Sequence, residues 1–395
     1  MELKKPRNGL EKMISEFIPY GLHWIDEGDI EEVVKVLRSD WITTGPKIDE
    51  FETALCKYIG CKHAVAVNSG TAALDIAVNA LNLKKGSEVI TTPFTFVATS
   101  NSILYNSLKP VFADICSDTF NIDPDMIRKK ITQNTKAIIY VDYAGQPCDI
   151  KAIREIADEF NLFLIEDACH ALGAEYGNRK IGNFADITIF SFHPVKHITT
   201  GEGGAVVTNN EELRGRLLLL RNHGITKETR DRYGPDASWA YDITCLGRNY
   251  RITDFQAALG ISQLKKLDKF IKKRSELAAM YNELLRGVNA VKLPAVKDNI
   301  KHIWHLYTIL LDESIDRDDF FKSMRAANIG VNVHYIPVYH HSYYTQNFGF
   351  DPKNFPVTED VFKRIITLPL HPQMSNDDIH YVVRELLKNL TNLVK

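Results

Sequence analysis

Short, mostly apolar segments recur along the first 260 residues and alternate with segments of helical periodicity. The apolar segments lie at 64–67, 88–91, 110–113, 137–141, 162–165, 187–190 and 205–207. Helical patterns occupy the chain between several of them, as at 96–104 and 150–160. Strands that are apolar on both faces are typical of parallel sheets covered by helices on both sides. The pattern therefore predicts an α/β fold with a mainly parallel sheet.

The character of the chain changes after about residue 260, where a long charged helix replaces the alternation of strands and helices. The elements predicted beyond this point are a helix at 261–285, a strand at 303–309, a helix at 316–328, a strand at 331–335 and a C-terminal helix from residue 377. A chain of 395 residues is long enough for two hydrophobic cores. We therefore predict a large domain at 15–260 and a smaller α+β domain at 261–395.

Charge and cysteine content exclude several classes of protein. The net charge of −2 gives no basic excess that could neutralise the phosphates of a nucleic acid or an anionic membrane. The six cysteines form no C-x-x-C pair, so neither a disulfide framework nor a metal site is predicted. No apolar stretch approaches the roughly 20 residues of a membrane span, and no signal peptide is recognisable. We expect a cytoplasmic protein with reduced thiols that binds neither nucleic acid nor membrane.

One lysine of this chain lies in an unusual setting. Lys196 follows the predicted strand at 187–190, within a run of small and hydroxyl residues from Ser191 to Gly204. A lysine that is desolvated at the end of a strand has a lowered pKa, and its neutral amine can attack a carbonyl carbon. The sequence therefore indicates a lysine that is able to form a Schiff base.

A second strand end carries an acidic residue. Asp167 follows the predicted strand at 162–165 and stands 29 residues before Lys196. A lysine for an aldehyde and an aspartate for a ring nitrogen are the two groups that pyridoxal phosphate (PLP) requires. His170 could bond the phenolic oxygen of that ring, although a structural histidine is equally compatible with the sequence. We therefore predict PLP as the cofactor, with Lys196 and Asp167 as the catalytic residues.

A third strand end could hold the phosphate of such a cofactor. Ser69, Gly70 and Thr71 connect the first strand to an apolar helix. Glycine allows a close approach, the helix N-terminus offers free amides, and Thr71 and Ser191 offer hydroxyls. The same turn is equally typical of a structural helix cap. The chain has neither G-x-x-x-x-G-K-[ST] nor G-x-G-x-x-G, which disfavours a nucleoside triphosphatase or a nicotinamide dehydrogenase.

Taken in their order along the chain, these segments resemble the DegT/DnrJ/EryC1/StrS family of sugar aminotransferases, which have the type I fold of PLP-dependent transferases. The resemblance extends from about residue 18 to the C-terminal helix. The segments that carry it are Trp41–Pro46, Asn68–Leu74, Thr95–Asn101, Glu166–Ala168, Ser191–Gly204, Gly247–Arg251 and His334–Pro337. It implies a large PLP-binding domain with a mainly parallel sheet and a smaller α+β C-terminal domain.

The resemblance also implies roles for the matching positions. Lys196 is similar to the lysine that is linked to PLP and shuttles a proton, and Asp167 to the residue that bonds the ring nitrogen. The other matching positions are an aromatic residue stacked on the ring (Phe96), a contact to the ring oxygen (His170), phosphate contacts (Gly70, Thr71, Ser191), an asparagine from a neighbouring subunit (Asn249) and residues near the sugar nucleotide (Tyr335, His334). The role of Asn249 thereby implies a homodimer with shared active sites.

Within the family, residues 141–145 and 191–209 resemble a subgroup that aminates C4 in the pseudaminic acid pathway. Asp142 stands where many other members have a histidine. The resemblance implies transfer of an amino group from L-glutamate to the C4 ketone of a UDP-linked 4-keto-6-deoxy sugar. Amination at C3 and a dTDP- or GDP-linked sugar remain open as alternatives.

Two other functions fit the same fold. A sister branch of the family dehydrates keto sugars at C3 and has a histidine in place of the lysine, so Lys196 favours amino transfer. A non-catalytic regulator would be supported by the loss of Lys196 or Asp167, and the sequence retains both.

Overall fold

The computed structural model describes residues 17–226 and 239–393, and a seven-stranded sheet lies at its centre. The strands are β1 (His63–Val67), β2 (Glu88–Thr91), β3 (Lys109–Phe112), β4 (Thr135–Val141), β5 (Phe163–Asp167), β6 (Glu175–Tyr176), β7 (Arg179–Lys180), β8 (Ile187–Ser191), β9 (Gly204–Thr208), β10 (Val291–Lys292), β11 (Ile300–Lys301), β12 (Tyr307–Leu311) and β13 (Ile365–Leu368). The central sheet has the order β1-β9-β8-β5-β4-β2-β3. Strand β9 runs antiparallel to both of its neighbours, while β8, β5, β4, β2 and β3 are parallel. The predicted α/β fold with a mainly parallel sheet is confirmed.

Helices cover both faces of this sheet. They are α1 (Glu27–Leu37), α2 (Pro46–Ile59), α3 (Gly70–Ala80), α4 (Ala98–Tyr105), α5 (Pro124–Lys130), α6 (Ile150–Phe160), α7 (Glu211–Arg221), α8 (Asp254–Leu264), α9 (Leu267–Leu284), α10 (Arg317–Ala326), α11 (Ser342–Asn347), α12 (Pro356–Arg364) and α13 (Asn376–Leu393). In β1, Ala64 and Ala66 pack on one face with Phe51 of α2. Val65 and Val67 pack on the other face with α3. This burial on both faces explains why the strands are apolar throughout.

The described residues include no helix that is both long and apolar enough to span a membrane. The cytoplasmic location inferred from the sequence stays a prediction.

A buried carboxylate joins three central strands. Glu166 of β5 is paired in register with Tyr140 of β4 and with Thr188 of β8. Its Oε1 accepts a hydrogen bond from the Tyr140 hydroxyl at 3.0 Å, and its Oε2 accepts from the Thr188 hydroxyl at 2.8 Å and the Gly182 amide at 3.1 Å. Burial raises the pKa of Glu166 to about 6, and these hydrogen bonds oppose the rise. The carboxylate thus fixes the lateral alignment of β4, β5 and β8.

A smaller α+β unit follows the central sheet. Strands β10, β12 and β13 form an antiparallel sheet, whose apolar residues build a separate core with α10 and α13. Helix α9 contributes to both cores, since Leu267 and Ile271 pack in the large one and Leu277 and Tyr281 in the small one. The domain boundary at residues 260–261 stays a prediction, and the two cores meet within this helix.

The helix predicted at 261–285 is in fact two helices, α8 and α9. Helix α8 already begins at Asp254, where Thr253 and Gln256 form a capping box at its N-terminus. Between the two helices, Lys266 donates to Asp29 of α1 at 2.5 Å. The break therefore follows from contacts with α1 that helical periodicity does not reveal.

Two predicted strands also differ from the structure. The strand expected at 303–309 begins only at residue 307, because Ile303 and His305 donate their amides to the loop after β4. Residues 331–335 form no strand, and Asn332 makes an isolated bridge to Thr367. The first segment instead bonds the loop after β4, and residues 332–335 of the second line the cavity described below.

A buried arginine connects the two units. Arg274 of α9 is 1% exposed, and its Nη1 donates to the carbonyl oxygens of Leu370 at 2.8 Å and of Trp304 and His305 at 3.3 Å each. Burial lowers the pKa of this guanidinium to about 10. The side chain therefore stays charged at neutral pH and binds three main-chain acceptors from two separate segments.

Replacement of Arg274 by methionine should destabilise the protein markedly. The Arg274→Met variant leaves three buried carbonyl oxygens without this donor, so we expect the free energy of unfolding to fall by about 2–4 kcal/mol in denaturant titrations. Arg286→Met changes an exposed arginine just beyond the same helix and should change that free energy by less than about 0.5 kcal/mol. Equal stability of the two variants would contradict this account of Arg274.

Candidate active site

A cavity of about 560 Å³ opens at the carboxyl edge of the central sheet. It is lined by every predicted site residue except one: Gly70, Thr71, Phe96, Asp167, His170, Ser191, Lys196, His334 and Tyr335. The exception, Asn249, lies exposed on the surface and outside the lining. The three strand ends singled out in the sequence thus meet, and the small unit completes the wall.

Lys196 lies in the connection between β8 and β9. Its backbone amide donates to the His193 carbonyl at 2.8 Å, which forms a turn just after β8. Burial lowers the pKa of Lys196, whereas the nearby Cys169 and Asp167 oppose this change. Since the loss of solvent is the largest of these effects, a greater share of the amine is neutral than for a surface lysine. The environment is the one that a nucleophilic lysine needs.

Asp167 ends β5 and is 4% exposed. Its Oδ2 accepts a hydrogen bond from the Thr99 hydroxyl at 2.7 Å, and its Oδ1 accepts from the Cys169 amide at 3.2 Å. The Thr99 hydroxyl also lies 3.1 Å from the hydroxyl of Thr95. These contacts hold the carboxylate in one orientation, as a partner for a ring nitrogen requires.

His170 follows Asp167 and is buried beside the cavity. Its Nε2 lies 3.0 Å from the Tyr335 hydroxyl, and its ring centroid lies 4.3 Å from that of His305. Burial, and secondarily the charge of Lys196, lowers the pKa of His170 well below its usual value. The imidazole is therefore neutral at physiological pH. Its Nδ1 is buried and has no hydrogen-bond partner among the described residues.

The N-terminus of α3 forms a cradle for an anion. Ser69 caps the helix, since its hydroxyl accepts from the Ala72 amide at 3.0 Å, and the first helical bond starts at the amide of Ala73. The amides of Gly70 and Thr71 precede that bond and are free for a ligand. A Cβ on Gly70 would lie 2.9 Å from the Cβ of Ser191, so glycine keeps the space between this helix and β8 open.

These groups fit PLP. Lys196 offers an amine for the aldehyde, Asp167 a carboxylate for the ring nitrogen, and the α3 N-terminus with Ser191 a cradle for the phosphate. Nδ1 of His170 is a buried polar atom that the described part of the chain leaves without a hydrogen-bond partner.

Comparison with known proteins agrees with this site. Residues 23–387 match the DegT/DnrJ/EryC1/StrS aminotransferase family. The chain belongs to this family. The match spans the cavity and both structural units.

The chain is 41% identical over 383 residues to the UDP-4-amino-4,6-dideoxy-N-acetyl-beta-L-altrosamine transaminase of Campylobacter jejuni. The alignment covers 96% of this chain and 99% of the relative.

Solved structures of sugar aminotransferases have the same fold. PseC of Helicobacter pylori, an aminotransferase involved in the biosynthesis of pseudaminic acid, superimposes with a TM-score of 0.90 at 35% identity, covering 95% of this chain and 100% of that one. The PLP form of a putative sugar aminotransferase of Streptococcus pneumoniae gives a TM-score of 0.89 at 32% identity, covering 96% and 100%. The predictions of a PLP-dependent sugar aminotransferase and of its fold are confirmed.

Asn249 is held at the surface of the aminotransferase by its two neighbours. Arg248 Nε lies 3.3 Å from Oδ2 of the buried Asp75, and the Tyr250 hydroxyl donates to the same oxygen at 2.9 Å. Asp75 belongs to α3, so the segment that presents Asn249 is attached to the helix whose N-terminus forms the cradle. The predicted contact of Asn249 with a neighbouring subunit stays a prediction.

Two residues around the cavity were not singled out from the sequence. Thr99 bonds Asp167, and the hydroxyl of the buried Tyr143 donates to the His334 carbonyl at 2.5 Å. Thr95 lies in the bend before α4 and Thr99 in its first turn, so a pair of hydroxyl residues at the start of a predicted helix is a usable signal. Tyr143 and His334 are 191 residues apart, and their contact has no local signature.

An added methyl group at Gly70 should weaken cofactor binding. In Gly70→Ala, the new Cβ would meet Ser191 at 2.9 Å, so one side of the cradle has to shift. Because overpacking costs about 1–3 kcal/mol, we expect the Kd for PLP to rise at least about fivefold in a spectroscopic titration of the apoenzyme.

Gly215→Ala is the matched control for this variant. Gly215 lies in α7, and a Cβ built there meets no atom within 4 Å. We expect its Kd for PLP to equal that of the wild type. Unchanged affinity in both variants would show that Gly70 does not border the phosphate.

Proposed function

We propose that this aminotransferase moves the amino group of L-glutamate to the C4 ketone of a UDP-linked 4-keto-6-deoxy sugar. The observation that carries the proposal is that Lys196, Asp167 and the N-terminus of α3 line one cavity. The name of the Campylobacter jejuni relative specifies a UDP-linked 4-amino-4,6-dideoxy sugar, which supports this class of substrate.

The residues of the cavity divide the chemical work. PLP, when bound, supplies an aldehyde and a ring that withdraws electrons from a substrate carbon. Nζ of Lys196 would bind the aldehyde of PLP and, once released, would accept the proton at that carbon and later return it. Attack on the aldehyde and acceptance of the proton both need a neutral amine, and burial lowers the pKa of Lys196 in that direction. The carboxylate of Asp167, oriented by Thr99, would keep a proton on the ring nitrogen.

We infer that His334 and Tyr335 contact the sugar nucleotide. Both line the cavity and belong to the segment that follows α10, whereas Lys196 and Asp167 come from the central sheet. Tyr143 fixes the backbone of His334, and Tyr143 lies within residues 141–145, by which the chain resembles the C4-aminating subgroup. A buried hydrogen bond thus connects the segment of the subgroup resemblance to the segment of the proposed sugar site.

We also propose a homodimer in which Asn249 reaches the phosphate cradle of the partner subunit. Its exposure, and its fixed position between Arg248 and Tyr250, are compatible with a contact across an interface. Within its own subunit it does not line the cavity.

Lys196 should be the attachment point of the cofactor. Borohydride reduction of the PLP-loaded enzyme should fix the cofactor to the peptide that contains Lys196, as read by mass spectrometry, and Lys196→Ala should lose both label and turnover. Lys180 is the matched control, because burial lowers its pKa as well but it lies over the Tyr58 ring outside the cavity. Lys180→Ala should label normally, and label on any lysine other than Lys196 would overturn the assignment.

The substrate proposal can be tested with a panel of UDP-, dTDP- and GDP-linked 4-keto-6-deoxy sugars. With glutamate as donor, we expect a C4 amine from the UDP-linked sugar, identified by NMR of the product. Amination at C3, or preference for another nucleotide, would contradict the proposal. A 3-deoxy product without an amine would point to the dehydrating branch, and the absence of any product across the panel and a set of amino donors would favour a regulator.

A further inference from the structure

Two buried threonines connect the carboxylate of Asp167 to the turn that carries Phe96. Thr95 lies in the bend before α4 and Thr99 in its first turn, and both line the cavity together with Phe96 and Asp167. The Thr99 hydroxyl lies 2.7 Å from Oδ2 of Asp167 and 3.1 Å from the Thr95 hydroxyl. The two hydroxyl groups thus form a continuous chain of hydrogen bonds that ends at the carboxylate.

The direction of this chain follows from the number of protons in it. A threonine hydroxyl has a single proton to donate, while its oxygen can accept further hydrogen bonds. Thr99 donates its proton to Oδ2 of Asp167, so in its contact with Thr95 it can only accept. The Thr95 hydroxyl is therefore the donor in that contact. Because both protons are committed within the chain, neither hydroxyl is a free donor for a group bound in the cavity.

The same two threonines hold the turn that presents Phe96. The Thr99 amide donates to the Phe96 carbonyl at 3.2 Å, and the contact between the hydroxyls spans the turn from Thr95, which immediately precedes Phe96. Because Phe96 is 58% exposed, its position depends strongly on the backbone turn that carries it. One pair of hydroxyl groups therefore bonds the carboxylate at the end of β5 and also closes the turn of an aromatic residue that lines the cavity.

We propose that Thr95 and Thr99 are positioning residues that act as one unit, keeping the carboxylate of Asp167 and the turn of Phe96 in a fixed relative position. The proposal rests on the proposed function, in which Asp167 bonds the ring nitrogen of PLP, and extends it. Thr99 acts on the carboxylate directly, and Thr95 acts on it through Thr99. Both residues would thereby influence the affinity for the cofactor before any substrate is present.

The test removes the Thr99 hydroxyl and the Thr99 methyl group separately. Thr99→Val keeps the branched shape and loses the donor, whereas Thr99→Ser keeps the donor and loses the methyl group. Because the loss of one hydrogen bond corresponds to roughly a 3- to 10-fold effect, we expect Thr99→Val to raise the Kd for PLP about 3- to 10-fold in a spectroscopic titration of the apoenzyme. Thr99→Ser should stay close to the wild type. The opposite order would show that Thr99 serves packing and would overturn the proposal.

Double variants test the route from Thr95 to the carboxylate. Thr95→Val alone should raise the Kd for PLP by a smaller factor, about twofold, because it only strengthens and orients the next bond of the chain. Added to Thr99→Val, it should have little further effect. Thr99→Val in turn should have little further effect when it is added to Asp167→Ala, since the acceptor is gone. Fully additive effects in both pairs would contradict a chain that ends at Asp167.

Thr358→Val is the matched control for general damage. Thr358 is buried, and its hydroxyl donates to Oδ1 of the buried Asp114 at 2.6 Å, outside the lining of the cavity. The variant therefore loses the same kind of bond as Thr99→Val. We expect both variants to unfold at a lower denaturant concentration than the wild type, and only Thr99→Val to bind PLP more weakly. An equal rise of the Kd in both would overturn the positioning role.

A failure of the proposed function has a different signature. If Asp167→Ala bound PLP as tightly as the wild type, the proposed role of Asp167 itself would be wrong. If Asp167→Ala bound PLP weakly and Thr99→Val bound it normally, only the positioning role would be wrong. The titrations use PLP alone, so a wrong assignment of the amino donor or of the sugar nucleotide would leave their outcome unchanged.

Discussion

The carboxylate of Glu166 lies beneath the active site and accepts hydrogen bonds from β4, from β8 and from the amide of Gly182. Burying a carboxylate costs free energy of folding unless its oxygens accept hydrogen bonds. Glu166 can accept from β4 and from β8 at the same time only in one register of the three strands. That register places Asp167 at the end of β5 beside the end of β8, from which the Lys196 loop departs. The relative position of the two proposed catalytic residues therefore depends on a residue that does not itself line the cavity.

The sheet and most of the cavity can be predicted from the sequence because both depend on local patterns. Strands that are buried on both faces are mostly apolar, and Asp167 ends one such strand while Lys196 lies in the loop that follows another. In a parallel sheet the ends of these strands share one edge, so their meeting could be predicted without knowing the strand order.

The remaining contacts depend on distances between segments that are far apart in the chain. Thr99 and Asp167 are 68 residues apart, and Tyr335 and His170 are 165 residues apart. Neither pair has a periodicity that connects its members. The break between α8 and α9 likewise depends on Asp29, a residue of α1, rather than on the helical pattern around Lys266.

The reversed direction of β9 has a consequence for motion in the active site. The chain between β8 and β9 returns without a crossover helix, and its ends are tied together by bonds from the Phe192 amide to Gly203 and from the Thr200 amide to the Phe192 carbonyl, at 2.9 and 3.0 Å. The backbone that carries Lys196 is thus anchored at both ends of a closed loop. In its proposed role, the amine of Lys196 would therefore reach different atoms mainly by rotation about the bonds of its own four-carbon side chain.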